Sequence, residues 1–118
     1  MATPDTAKIF EETLDPYDVL DFEVDVAPLL EVGEGVASYE LSLPTESTLL
    51  GLEILTTDGY VTTMESNIIR FYVGIELAEQ ANPAFVAGAT LPIEVNVTTN
   101  SVPPRKKQRT VAVTVVQR

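Results

Sequence analysis

The chain predicts an antiparallel β-sandwich, and three observations carry that expectation. Apolar and polar residues alternate with period two in short stretches, with no sustained 3.6-residue period. Turn signals built on Pro, Gly, Asn and Asp punctuate those stretches every dozen residues or so. Eight prolines, six glycines and many Val, Ile and Thr fit strands and tight turns better than helices.

Residues 1–14, MATPDTAKIFEETL, keep no period and contain Pro4, which predicts a flexible N-terminal arm ordered by a neighbour. The first strand begins at Leu20, where Leu20, Phe22, Val24 and Val26 face inward and Asp21, Glu23 and Asp25 outward. Pro28 and the EVGEG run (31–35) break it. VASYELSL follows with Ala37, Tyr39, Leu41 and Leu43 inward, stopped by Pro44. In LEILTTDGYVTT, Asp58-Gly59 between two β-prone runs predicts a two-residue hairpin, because a type I′ turn needs positive φ at both centres. IIRFYVGI gives Ile69, Phe71, Val73 and Ile75 on one face. Residues 76–90 hold at most a short helical turn ended by Asn82-Pro83. LPIEVNVTT then sets Leu91, Ile93, Val95 and Val97 inward, and TVAVTVV does the same with Val111, Val113 and Val115. The other face of that last strand, Ala112 and Val116, is apolar enough to be partly covered.

Seven short strands of this kind fit an all-β, single antiparallel β-sandwich of immunoglobulin-like Greek-key topology. The cysteine pair and core tryptophan of antibody domains are absent, which places the chain in the wider sandwich class; a small barrel is the competing architecture. With 118 residues there is room for one domain, so the expected division is an arm over 1–14 and a sandwich over 15–118.

Charge is unevenly placed. The net charge is −11, yet residues 1–104 carry −16 and residues 105–118 carry +5. An acidic body repels nucleic acid, whose affinity for proteins rests largely on cation–phosphate contacts. No apolar run approaches the ~20 residues of a spanning helix, and MATPDTAK lacks the cationic and apolar regions of a secretory signal. A product of the cytoplasm with no membrane partner is therefore expected.

The chain has neither histidine nor cysteine, which removes the commonest catalytic base, the thiolate nucleophile and the favoured zinc ligands. No phosphate-binding glycine motif is present beyond an isolated GEG at 33–35. Eighteen acids guarantee carboxylate pairs by chance, so such pairs do not point to glycoside hydrolysis. No catalytic residue, metal ligand or cofactor is expected. The row Asp21, Glu23 and Asp25 resembles the start of an EF-hand loop, but Val26 stands at the required glycine and Val32 at the closing glutamate. A solvated strand face that meets nearby cations is the simpler reading.

Those cations invite three readings. Arg105, Lys106, Lys107 and Arg109 in PPRKKQR form a nuclear-address-like or phosphate-binding run, a contact for an acidic protein partner, or the start of the last strand. In the third reading Arg105, Lys107 and Arg109 approach Asp21, Glu23 and Asp25, because first and last strands lie side by side in many sandwiches. Ile9 and Phe10 in the arm are the other candidate partner contacts, since apolar residues on a mobile segment gain by burial.

LDPYDVLDFEVDVAPLL (14–30) resembles the opening of small structural proteins from tailed-phage virion gene clusters, with its D-P-x-[DE]-V-L-D-[YF] pattern ahead of an alternating strand. The ending IEVNVTTNSVPPRKKQRTVAVTVV is similar to theirs as well. Val26 and VGIELAEQ stand where those sequences often carry a tryptophan and a glycine-rich LSGG segment. The resemblance implies a non-enzymatic, immunoglobulin-like virion protein that decorates or cements the capsid. It would bind the major capsid protein or another virion protein, as a homo-oligomer on the particle. The alternative within the same resemblance is a tail or fibre module that binds a host-surface glycan or protein.

Overall fold

The computed structural model describes residues 8–118. In chain order their strands are β1 (Lys8–Ile9), β2 (Leu20–Asp25), β3 (Val36–Ser42), β4 (Leu52–Leu55), β5 (Thr63–Glu65), β6 (Ile68–Ile75), β7 (Ala89–Thr99) and β8 (Lys106–Val115). They form two packed sheets in an all-β, sandwich-like arrangement. One sheet has the order β1-β8-β7-β3, the other β2-β6-β4, with β5 also paired to β6. Every pairing between strands is antiparallel except β1 with β8.

Period-two alternation explains which residues fill the space between the sheets. Phe22, Val24, Ile69, Phe71, Val73, Leu91, Ile93, Val95, Val97, Val111, Val113 and Val115 are all buried there. Each such side chain contributes roughly 1.5–3 kcal/mol on leaving water, which makes this shared face the main source of stability. Ala112, on the outer face of β8, is also buried, between Pro92 of β7 and Ile9 of β1. On β3 the apolar face is only half-buried at Tyr39 and Leu41, because β3 is the last strand of its sheet. Ala37 is exposed rather than inward: the register slips between Val36 and Ser38, and the extra residue of this bulge is turned out of the ladder.

The expected hairpin at Asp58-Gly59 is a turn without a hairpin. Asp58 (φ 57°) and Gly59 (φ 90°) take the left-handed conformation, and Tyr60 N–H closes the turn on the Thr57 carbonyl at 3.1 Å. The flanking strands nevertheless do not pair with each other. β4 pairs with Tyr72–Ile75 and β5 with Ile68–Arg70, both on the side of β6 away from β2, so 56–62 is an excursion in one interrupted strand. The two-residue hairpin lies one step later, at Ser66-Asn67 (φ 52° and 66°), between β5 and β6.

Segment 76–88 holds the expected short helical turn, a 3₁₀ turn over Leu77–Glu79 that ends before Asn82-Pro83, and a second helical piece that the sequence reading lacks. Pro83 starts that second piece, the short helix α2 (Ala84–Ala87), and Asn82 Oδ1 accepts the Ala84 N–H at 2.9 Å. The helix drops Phe85, fully buried, into one end of the core. At that end the short helix α1 (Thr45–Thr48) covers β7 where β3 has already stopped. Pro92 has no N–H to offer a missing strand, and its carbonyl accepts the buried Ser47 hydroxyl at 2.6 Å.

The arm expected over 1–14 falls partly outside the described residues, at 1–7. Its described part runs parallel to β8: Phe10 N–H bonds the Ala112 carbonyl and Leu14 N–H the Thr114 carbonyl, both at 2.9 Å. Leu14 is fully buried, and the Phe10 ring lies 4.7 Å from that of Phe22 across the sheets.

Replacing Ser47 by Ala leaves the buried Pro92 carbonyl without its donor. A loss of about 1–3 kcal/mol is expected in urea unfolding. Unchanged stability would show that α1 covers β7 by packing alone.

Candidate functional site

The four clustered cations of the sequence part company in the fold. Arg105 closes the β7–β8 loop onto the turn between β2 and β3. Its Nε donates to Glu34 Oε2 at 2.8 Å and its Nη2 to Glu34 Oε1 at 2.5 Å, a two-pronged pairing. Glu31 lies 3.8 Å from the same guanidinium, and the Leu29 carbonyl accepts a longer bond from Nη2 at 3.5 Å. The Glu34 side chain is only 8% exposed. Hydrogen bonds from Arg105, and then from the Glu31 N–H, hold its carboxyl far below the usual glutamate range.

A second tie lies beside the first. Asn100 N–H donates to the Gly35 carbonyl at 3.0 Å, and Gly35 N–H donates back to Asn100 Oδ1 at 2.8 Å. A Cβ on residue 35 would stand 2.9 Å from Asn100 Nδ2, so a larger residue there would push the Asn100 amide aside and disturb this tie. The two loops at this end, 31–35 and 100–105, are therefore fixed to each other. Val32 and Val102, carried on them, nevertheless stand almost wholly in solvent.

Arg109 crosses between the sheets, its Nη1 donating to the Asp25 carbonyl at 3.0 Å. Lys106 and Lys107 are exposed and have no carboxylate within ion-pair distance among the described residues. The row Asp21, Glu23 and Asp25 does lie on the outer face of β2, but its cation is Arg70. Glu23 sits opposite Arg70 in the β2–β6 register and receives both Nε (3.2 Å) and Nη2 (2.8 Å) on Oε2. Asp21 lies 3.7 Å from the same Nε. The bond to Glu23 raises the Arg70 pKa further. Of the two apolar candidates in the arm, Ile9 is 53% exposed on the outer face, whereas Phe10 is packed on Phe22 and Phe71.

Among the described residues no group of three or more carboxylates is placed to hold a metal ion, and both buried hydroxyls have partners: Ser47 donates to the Pro92 carbonyl, and Thr99 Oγ1 accepts the Arg105 N–H and bonds the Ser101 hydroxyl. Two depressions are large enough to receive part of a partner. One, about 580 Å³, lies over β3, β7 and β8 and is lined by polar side chains including Ser38, Glu40, Asn96, Thr98 and Gln108. The other, about 730 Å³, lies between β3 and β4, with an apolar floor and an acidic rim. A scan against protein-family models finds no match to the chain, and a search of curated proteins finds none similar to it.

Arg70 was open to sequence reading: it is the only cation between Lys8 and Arg105, at an outward position of an alternating strand. Glu34 was not, since nothing local in EVGEG shows which distant loop it meets.

Glu34 also makes stability depend on pH. Its folded-state pKa lies below the unfolded value of about 4.3, so its contribution is complete above roughly pH 5 and fades as pH falls towards the folded value. Glu34→Gln is expected to lower the urea midpoint at pH 7, with the gap to the parent protein constant down to about pH 5 and shrinking steadily below it. A gap of constant size down to acid pH would mean that the charge of Glu34 contributes nothing.

Proposed function

We propose that the protein is a non-enzymatic structural component of a tailed-phage virion, a cement or decoration protein that binds the assembled head and stabilises contacts between coat subunits. The observation that carries this reading is the latched pair of loops. Two apolar side chains, Val32 and Val102, are held out in solvent on loops fixed by the Arg105–Glu34 and Asn100–Gly35 ties. Apolar anchors on pre-ordered loops lose little entropy on docking, which suits a binding module and serves no purpose inside the domain itself.

The stretch 14–30 that carries the resemblance to virion proteins is built into the domain at its start. Leu14 and Pro16 are buried, and Asp15 accepts the Tyr17 N–H and the Arg118 N–H, both at 2.9 Å, joining the first strand's approach to the end of the last. These two bonds lower the Asp15 pKa. An immunoglobulin-like Greek key is the topology we infer. The order β8-β7-β3 facing β2-β6-β4 matches the G-F-C and B-E-D sheets of that fold, with β1 as an extra strand beside the last. On this reading the protein is made in the host cytoplasm and resides in the virion, with the major capsid protein or another virion protein as its partner.

One observation favours the second reading, a tail or fibre module that binds a host-surface glycan. The 580 Å³ depression on the outer sheet face offers amide, hydroxyl, carboxylate and ammonium groups from Asn96, Gln108, Ser38, Thr98, Glu40 and Lys106, a polar mixture that sugar hydroxyls engage.

Co-sedimentation with expanded, assembled capsids and with free coat subunits separates the readings. Binding to capsids only is expected, and Val32→Asp with Val102→Asp should weaken it by about ten-fold or more while leaving the melting curve of the free protein unchanged. Absence from purified particles, or retention on host cells or polysaccharide instead, would overturn the cement reading.

A further inference from the structure

We propose that copies of this protein join to one another through unlike sheet edges, the basic first half of β8 in one copy against the acidic β3–β4 side of the next. Among the described residues β3 and β4 each have a hydrogen-bonded neighbour strand on one side only, so each presents an edge of backbone N–H and C=O groups. Between them runs the 730 Å³ groove, floored by Tyr39, Leu41, Leu43, Leu52 and Ile54 and rimmed by Glu40, Glu53 and Glu76. No lysine or arginine lines it.

The other side of the sandwich carries the complement. β1 meets β8 only at Val111 and Ala112, so Lys106–Thr110 is paired on the β7 side alone among the described residues. That stretch bears Lys106 and Lys107, both exposed and both without a carboxylate partner among the described residues.

Charge then selects the mode of contact. Two β8 edges repel each other, as do two β3–β4 sides, and only unlike edges attract. Backbone pairing supplies adhesion, as in strand addition to an open sheet, and the Lys–Glu pairs supply orientation and partner choice. A contact between two different patches of the same molecule is heterologous, so repetition closes a ring or extends a chain of subunits. The contact needs no capsid and stands independently of the cement reading.

Sedimentation velocity on the full chain, from micromolar to millimolar protein and from low to high salt, tests it. Concentration-dependent association that weakens with salt is expected. K106E/K107E makes both edges acidic and E40K/E53K makes both basic. Each alone should associate at least about ten-fold more weakly than the parent, and an equimolar mixture should recover association because unlike edges meet again. Melting curves show that each variant is folded; if E40K/E53K is not, K106E/K107E against the parent decides the matter. A parent protein that stays monomeric at millimolar concentration overturns the proposal, as does unchanged association of K106E/K107E. Capture of a basic, apolar extended peptide in the groove by a chain that never self-associates overturns it in favour of a foreign strand. Capsid co-sedimentation fails or succeeds separately, so loss of one reading leaves the other standing.

Discussion

The antiparallel pairing of β7 with β8 is the constraint on which the rest of the structure depends. It runs from Ala89↔Val115 to Thr98↔Lys106 without a break and sets two long strands side by side at the centre of one sheet. Once it forms, Leu91, Ile93, Val95 and Val97 share a face with Val111, Val113 and Val115, and the second sheet has something to pack against. The same strands recruit the periphery. β8 binds the 8–14 segment along its far edge, β7 binds β3 and α1 along the other, and the loop between them carries Asn100 and Arg105 to the 31–35 turn. A strand that slipped by one residue would turn its valines to solvent and misplace all of these contacts together.

The acid load sits where that scaffold can bear it. Nearly all carboxylates lie on strand outer faces and loops, in high dielectric, where repulsion between them is weak and salt screens it further. The Arg70 contacts to Glu23 and Asp21 are half-exposed, and pairs of that kind contribute ~0.2–1 kcal/mol each. Their value lies in register: Arg70 opposite Glu23 relieves the row on β2 and favours one alignment of β2 on β6. Arg105 with Glu34 differs in kind, because the carboxylate is nearly covered and both prongs of the guanidinium are used.

Much of the fold was legible in the alternation because burial on one face is what a strand needs, and the inward residues of β2, β6, β7 and β8 are those the pattern names. The misses share a cause: each turns on a pairing that local sequence does not encode. Asp58-Gly59 has the chemistry of a type I′ turn and adopts positive φ at both centres, yet β4 and β5 bond to β6 and not to each other. Ser66-Asn67 makes the real hairpin without a glycine, since asparagine tolerates the left-handed region and β6 fixes the partners. The arm segment 8–14 shows no period because it touches the core at only two points, Phe10 and Leu14, with a bend between. At the site the residue types were visible and the partners were not. The acids of β2 meet Arg70, and Arg105 meets Glu34, a residue 71 positions away.

The run RKKQR is best understood as two kinds of cation with two kinds of work. Arg105 and Arg109 carry planar guanidiniums, and both are spent inside the molecule, one on a carboxylate with two bonds and one on a backbone carbonyl in the opposite sheet. Lysine could replace neither without loss, because a single ammonium cannot span both oxygens of Glu34 or hold the same geometry. Lys106 and Lys107 alternate to opposite faces of the same strand, exposed on flexible stems, with no carboxylate partner among the described residues. The arginines thus fix the end of the sandwich at which the lysines are displayed. The backbone that carries this charge is fixed in advance, so only the lysine side chains are ordered when an acidic surface arrives, which makes the lysine pair the part of the cluster directed outward.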